Sequence, residues 1–373
     1  MSTDGPLDIF LVTSPGFERV LFQEARAKGF ASARYEPGGV TLKGTWQDVW
    51  RANLELRGAG RVLVTLGSFR AEHLSQLEKI ARRFPWSDTL KAGVPVRVEA
   101  SCKSSRIYHS GAAAERIERA IQRETGAPIS PDAAVVIRAR FENDVCTIGI
   151  DTSGELLHKR GHKEAVNKAP MRETFASLFL RQCGFDGAET VVDPMCGSGT
   201  FVIEAAEIAA GLKPGRSRRF AFEHFATFES EMWQAMRGQS DLVTPFLPSH
   251  KFYGSDRDAG AIAMSRDNAE RAGVARFTDF QNHAISDLVA PEGPPGLVIV
   301  NPPYGDRIGE KQRLHGLYRA LGETLLTGFK GWRAGVITSD TALANATRLP
   351  FLPTGPAVLH GGTRVTLFQT GPL

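Results

Sequence analysis

The chain has 373 residues, 42% hydrophobic and 23% charged, with a formal net charge of +4 and a pI near 8.9. This composition excludes a disordered chain, a collagen and a coiled coil. No apolar run reaches the ~18 residues that cross a bilayer. The N-terminal stretch MSTDGPLDIFLVTSPGF carries acids and no basic region, so no signal peptide is expected. Four cysteines (Cys102, Cys146, Cys183 and Cys196) are scattered without a CxxC pair. A disulfide framework and a metal site are therefore not expected, and a reducing cytoplasm fits best.

At ~150 residues per domain, two to three domains are predicted. Residues 7–66 read as a small α+β unit. LDIFLVT is a strand, Phe17 to Lys28 has helical spacing and ends at Gly29, and GGVTLKG is a second strand. A helix capped by Thr45 and the strand RVLVTLGSF complete it. From Ala71 to His158 a second α+β unit follows. It has a helix near 73–83, the strand VPVRVEAS, a basic loop SCKSSRIYHSG, the helix AAAERIERAIQRE, and the strands AVVIRARFE and VCTIGIDTS joined at Asn143-Asp144. Between Arg70 and Lys168 there are 17 Lys+Arg and 13 Asp+Glu, so the chain's excess of four cations resides here. So small an excess by itself reads as a solvated surface.

The basic connector LLHKRGHKEAVNKAP leads to Pro170, and the pattern then changes. Short apolar strands (TVVDP, HKFYGSD, GLVIVNPP, AGVITSD) alternate with helical stretches, which predicts a mostly parallel, doubly wound sheet. Ligands of such sheets bind outside the carboxyl ends of the strands.

Three segments carry chemistry. In TVVDPMCGSGTFVIEAA a buried strand meets an acid, a glycine turn and a helix whose first N–H groups are free for an anion. The turn is not GxGxxG, which disfavours a pyrophosphate. In FYGSDRD, Asp256 follows a strand and suits the two hydroxyls of a ribose. It lies 63 residues beyond Asp193 because of a Phe- and Arg-rich insertion from Gly211. That insertion is expected either to cover a pocket or touch nucleic acid, or to pack on its own aromatics.

VIVNPPYGDRIG is the most specific segment. Two prolines fix an extended turn without backbone donors, so the Asn301 oxygen and the following carbonyls form an acceptor cluster suited to an exocyclic amine. Tyr304 can stack on a planar base. Together these suit N-methylation of a nucleobase.

DPMCGSGT, GSD and NPPYGDR resemble class I S-adenosylmethionine-dependent methyltransferases that act on amino groups. SCKSSRIYHSGAAAERI and LLHKRGHK…APMRET make the chain similar to the THUMP-domain RNA guanine-N2 methyltransferases, the bacterial 23S rRNA family. The fold this implies is α/β: a Rossmann-like class I methyltransferase sheet (159–373) preceded by α+β ferredoxin-like (1–66) and THUMP RNA-binding (67–158) domains. The resemblance implies S-adenosylmethionine as cofactor. It would be held by Asp193, Pro194, Cys196, Gly197, Gly199 and Thr200, by Asp256 and Arg257, and by Thr174 in the segment Arg172-Glu173-Thr174. Asn301, Pro302, Pro303 and Tyr304 match the catalytic tetrapeptide. The acid usual at the adenine amino group falls at Ala284, with Asn282, His283 and Asp287 as candidate replacements. RNA is the expected partner, rRNA before tRNA, and no membrane is involved. Lys103, Arg106, His109, Lys159, Arg160 and Lys163, which crowd one loop and one connector, are the expected phosphate contacts.

The competing readings are a tRNA guanine-N2 or a DNA adenine-N6 methyltransferase, a nucleotide-dependent oxidoreductase, and an inactive RNA-binding scaffold. An oxidoreductase would show GxGxxG and a proton-shuttling histidine, and a scaffold would have lost Asn301 or the glycine turn.

Overall fold

A computed structural model describes residues 5–163, 171–242, 248–304 and 311–373, without the side chains of 239–242 and Lys311. The described chain divides into two compact units. The first holds most of the residues up to Leu157. Its elements are β1 (Leu7–Val12), α1 (Glu18–Ala27), β2 (Arg34–Glu36), β3 (Gly39–Gly44), α2 (Trp46–Glu55), β4 (Arg61–Arg70), α3 (Leu74–Ala81), β5 (Val96–Lys103), α4 (Ser110–Thr125), β6 (Val135–Glu142) and β7 (Val145–Asp151). The strands form one seven-stranded sheet in the order β2-β3-β1-β4-β7-β6-β5. The expected boundary at 66/67 thus falls inside β4, which pairs with β1 on one side and β7 on the other. The two small α+β units are continuous through this strand. Local signals act as expected. Thr45 and Asp48 form a reciprocal capping box on α2, and Asn143 and Asp144 make the β6–β7 turn with φ of 51° and 64°.

The second unit contains α5 (Glu173–Gln182), β8 (Val191–Asp193), α6 (Thr200–Ala209), and, after the insertion that carries α7 (Ser230–Leu242), β9 (Phe252–Asp256). There follow α8 (Ala259–Ala272), β10 (Thr278–Asn282), β11 (Leu297–Val300), α9 (Lys311–Gly328), β12 (Arg333–Thr338), α10 (Thr341–Ala346), β13 (Val358–His360) and β14 (Thr363–Gln369). The sheet order is β10-β9-β8-β11-β12-β14-β13. The first five strands are parallel, and β14 and β13 add antiparallel pairs at one edge. Val191, Val192 and all of β11 are buried, which explains why these strands read as apolar runs rather than alternations. The order reverses between β8 and β11, so a crevice is expected beyond their carboxyl ends, where Asp193 and Asn301 stand.

Two segments change unit. Ser14–Val20 belongs to the second, where the Phe17 ring meets Phe175 and Phe179 edge-on at 5.2 and 4.9 Å. Arg218–Ser240, the expected insertion, belongs to the first. Its Phe220, Phe222, Phe225 and Trp233 are buried, and Phe222 stacks on Trp50 at 6.0 Å. Arg218 donates to the carbonyls of Glu155 and Leu156 at 2.7 and 2.9 Å. These four aromatic residues are therefore consumed in packing. No described helix is long and apolar enough to cross a membrane.

Candidate functional site

The loop after β8 is built by its own backbone and by two side chains of α8. Gly199 N–H donates to the Cys196 carbonyl at 2.8 Å, which closes a tight turn, and Gly199 sits at φ +80°. A Cβ there would meet Phe280 and Ser265 at 3.1 Å, so this glycine serves close packing. Gly197, at φ +53°, differs: a Cβ on it would project into open space. Ser265 donates its hydroxyl to the Gly197 carbonyl at 2.9 Å, and Asn268 its amide to the Ser198 carbonyl at 3.1 Å. Those two carbonyls are thus held from α8, which fixes the turn.

Asp256 ends β9, half-buried. Its Oδ2 accepts the Gly197 N–H at 3.0 Å and its Oδ1 the Asp258 N–H at 2.9 Å, which fixes the carboxylate. Each oxygen keeps a lone pair for a further donor. Arg257 beside it is exposed. Asp193 is buried and accepts the Met195 N–H at 3.1 Å. Burial, with a smaller contribution from Asp256, pushes its carboxyl up to about 8. Pro194 is buried beneath the turn. The Cys196 thiol lies 3.8 Å from the Ser265 hydroxyl and burial raises it well above the usual thiol range. Its side chain therefore packs inside the unit, and its backbone N–H donates to the Ser255 carbonyl at 2.9 Å. Thr174 is buried in the first turn of α5.

Asn301 follows β11 directly. Its Oδ1 is buried and has no donor among the described residues. An unsatisfied buried amide oxygen costs about 1–3 kcal/mol, so its persistence signals a missing partner. Pro302 is buried and Pro303 exposed. Tyr304 is half-buried and packs on the core cluster formed by Val300, Tyr318 and their neighbours, and desolvation raises its hydroxyl pKa. At the place of the missing acid, Asn282 donates its amide to the Asp256 carbonyl at 2.8 Å, which leaves its Oδ1 as an acceptor. His283 Nδ1 is 3.0 Å from the Ala284 carbonyl, and Asp287 is exposed.

The expected phosphate contacts separate into two sets. Lys103, Arg106 and His109 are exposed on the β5–α4 loop. Lys103 pairs with Glu142 at 3.3 Å, Arg106 with Glu72, and the His109 ring accepts the Ala112 N–H at 3.1 Å as the cap of α4. Ser105 and the Arg106 backbone are tied to Asp144 at 3.0 and 2.7 Å, so the loop is pinned to the β6–β7 turn. Tyr108 in this loop, absent from the sequence expectation, is 84% exposed.

Lys159 is exposed, but Arg160 and Lys163 are not surface cations. Arg160, 2% exposed, pairs with Glu204 of α6 at 3.2 Å. Lys163 is bound to Thr200, Met171 and Glu173. A buried cation needs a buried anion, and these two are spent inside the unit. Burial lowers the pKa of His162, between them in sequence, against the opposing pull of Glu207 and Glu204. His158 is pushed down to about 4 by burial and by the nearby cations Arg172, Arg160, Lys163 and Lys159.

Two family models match the chain. The RMKL-like methyltransferase domain matches residues 160–351, and the RlmL ferredoxin-like domain matches residues 8–63. The chain belongs to the RMKL-like methyltransferase family. It is 34% identical over 362 residues to the ribosomal RNA large subunit methyltransferase K/L of Syntrophotalea carbinolica, over 91% of this chain and 50% of that protein. The chain spans about half the length of the curated relatives it matches. Among solved structures, a protein from Clostridium difficile 630 described as a possible methylase aligns with a TM-score of 0.89 and 29% identity, over 99% of this chain and 98% of that one. The structure of SMU.472 complexed with SAH aligns at 0.90 and 26% identity, over 100% and 99%.

Proposed function

We propose that the chain transfers a methyl group from S-adenosylmethionine to the exocyclic N2 of a guanosine in RNA, with 23S rRNA as the substrate. The observation that carries this reading is the buried Oδ1 of Asn301 at the carboxyl end of β11, which has no donor among the described residues. The cofactor fits the residues present. Gly197 leaves open space where a side chain would stand, Asp256 offers two fixed oxygens to ribose hydroxyls, and the Asn282 oxygen is an acceptor for an adenine amine. Thr174, Asp193 and the loop from Pro194 to Thr200 would surround its methionine end, and Arg257 would stand at the adenine. When bound, S-adenosylmethionine supplies an electrophilic methyl group.

The chain's own residues do the rest. Asn301 Oδ1 and the Pro302 carbonyl accept the two amine hydrogens and aim the nitrogen lone pair. They also stabilise the positive charge that grows on nitrogen, a preorganised electrostatic contribution. Pro303 keeps the turn extended, and Tyr304 holds the base by stacking. A base inside a duplex cannot reach this position, so it must be flipped or single-stranded. No strong general base is needed, because the amine proton becomes acidic only as the methyl arrives. The stretch from β5 to β7 serves as a THUMP RNA-binding domain and that from β1 to α2 as its ferredoxin-like companion, with β4 shared between them. Lys103, Arg106, His109 and Lys159 contact phosphates, and exposed Tyr108 stacks on an unpaired base. The enzyme works in the cytoplasm, in keeping with four free cysteines.

Single-turnover transfer from labelled S-adenosylmethionine to guanosine-containing RNA tests the site. Asn301→Ala should slow it by ~10²–10³-fold with S-adenosylmethionine affinity nearly unchanged. Wild-type rates in that variant would mean that the acceptor cluster is misassigned.

A further inference from the structure

Lys163 lies in the connector, where the sequence suggests a phosphate contact, yet its ammonium points into the second unit. Its side chain is 10% exposed. It donates to Thr200 Oγ1 at 2.8 Å and to the Met171 carbonyl at 2.9 Å, and its Nζ is 3.3 Å from Glu173 Oε1. An ammonium has three hydrogens, and these three acceptors use them all. Lys163 therefore has no donor left for RNA.

The groups it holds are informative. Thr200 is the first residue of α6 and follows Gly199 directly. Glu173 is the first residue of α5. One cation thus pins the heads of two helices. The same turn is held from its other flank by Ser265 and Asn268, which bind the Gly197 and Ser198 carbonyls. Helix heads carry free N–H groups and partial positive charge. The amino-acid end of the cofactor is a zwitterion and needs both signs of charge placed within a few ångströms. Lys163 brings a positive charge and a buried carboxylate together at the heads of α5 and α6.

Resting on the cofactor reading above, we propose that Lys163 is a positioning residue for the amino-acid end of S-adenosylmethionine, acting through Thr200 and Glu173. Adenosine recognition, which falls to Asp256 and Asn282, is independent of it.

Two ligands separate these ends. S-adenosylhomocysteine keeps the zwitterion, whereas 5′-methylthioadenosine keeps the nucleoside and sulfur without it. Calorimetry on the full chain should show that Lys163→Met weakens S-adenosylhomocysteine by roughly tenfold or more, the weight of one charge-assisted hydrogen bond. Affinity for 5′-methylthioadenosine should not change, and neither should RNA affinity or its salt dependence. Lys163→Met leaves Glu173 buried without this partner, so Lys163→Met/Glu173→Gln removes both charges. It should regain thermal stability and still discriminate against S-adenosylhomocysteine. Equal losses for both ligands would reveal a merely structural lysine, and unchanged binding of both would overturn the proposal. A reduced RNA salt slope with intact S-adenosylhomocysteine binding would restore the phosphate contact and overturn it too. Failure of the wild type to bind either ligand would instead refute the cofactor reading itself.

Discussion

Arg160 offers a test in which two readings of one residue predict different observables. If it contacted phosphate, its loss would weaken RNA binding and leave stability alone. In the structure it pairs with Glu204 at 3.2 Å, with the side chains 2% and 1% exposed. Removing one partner of such a buried pair unbalances the charge around the other and costs up to about 3–5 kcal/mol. Replacing both by apolar groups of similar volume should be nearly neutral. For a unit of 150–250 residues each kcal/mol shifts Tm by about 2–4 °C, so Arg160→Met should lower the transition of the second unit by roughly 6–20 °C. Glu204→Leu should do the same, and the double variant should recover most of the loss. Scanning calorimetry on the three variants, with RNA affinity measured in parallel, makes the comparison. A shift below about 2 °C for Arg160→Met, together with weakened RNA binding, would refute the buried-pair argument.

Other outcomes follow from the same geometry. Asp193 has its carboxyl pushed up to about 8 by burial, against an ordinary value of 3.8. Between these values the folded state binds a proton that the unfolded state has lost, so this residue's contribution to stability is full below pH ~4 and is lost as pH rises through ~8. Asp193→Asn should therefore flatten the decline of Tm between pH 5 and 8, and an unchanged pH profile would contradict the assignment. Asp256→Ala should weaken S-adenosylhomocysteine by about 1.5–3 kcal/mol, the worth of hydrogen bonds to a charged acceptor; calorimetry that shows full affinity would remove it from the ribose site. Lys103→Ala/Arg106→Ala should lower both RNA affinity and the slope of its salt dependence. Tyr108→Ala should lower affinity by about 1–3 kcal/mol without changing that slope, since stacking is not ionic. An anisotropy titration in which the two variants behave alike would merge the two roles.

The parallel core of the second sheet was legible because its strands are short, buried and apolar, and because Asp193, Asp256 and Asn301 each end one. The edge pair β13–β14 was not read, although Gly361-Gly362, at φ 57° and 88°, is a hairpin signal between two β-prone runs. The continuity of the first sheet through β4 could not be seen, since strand neighbours on both sides come from distant segments. The insertion's membership of the first unit was hidden for the same reason. Lys163 and Arg160 were misread as surface cations because a run of basic residues looks the same whether or not it is covered. A clue existed in TFVIEAAEIAA. Glu204 and Glu207 interrupt an otherwise apolar helix at i, i+3, and buried acids demand cations from elsewhere in the chain. Ser265 and Asn268, which hold the glycine turn, gave no comparable signal among the polar residues of α8.

Methyl transfer to the exocyclic nitrogen of guanine in RNA, with Asn301 in the acceptor cluster, is the proposal on which the other assignments rest. The most direct measurement incubates the full chain and S-adenosylmethionine with unmodified 23S rRNA, digests the product to nucleosides, and identifies the methylated species by mass spectrometry against authentic standards. The account predicts N2-methylguanosine, formed by the wild type and reduced by ~10²–10³-fold with Asn301→Ala. N6-methyladenosine as the product, or N2-methylguanosine formed equally well without Asn301, would contradict it.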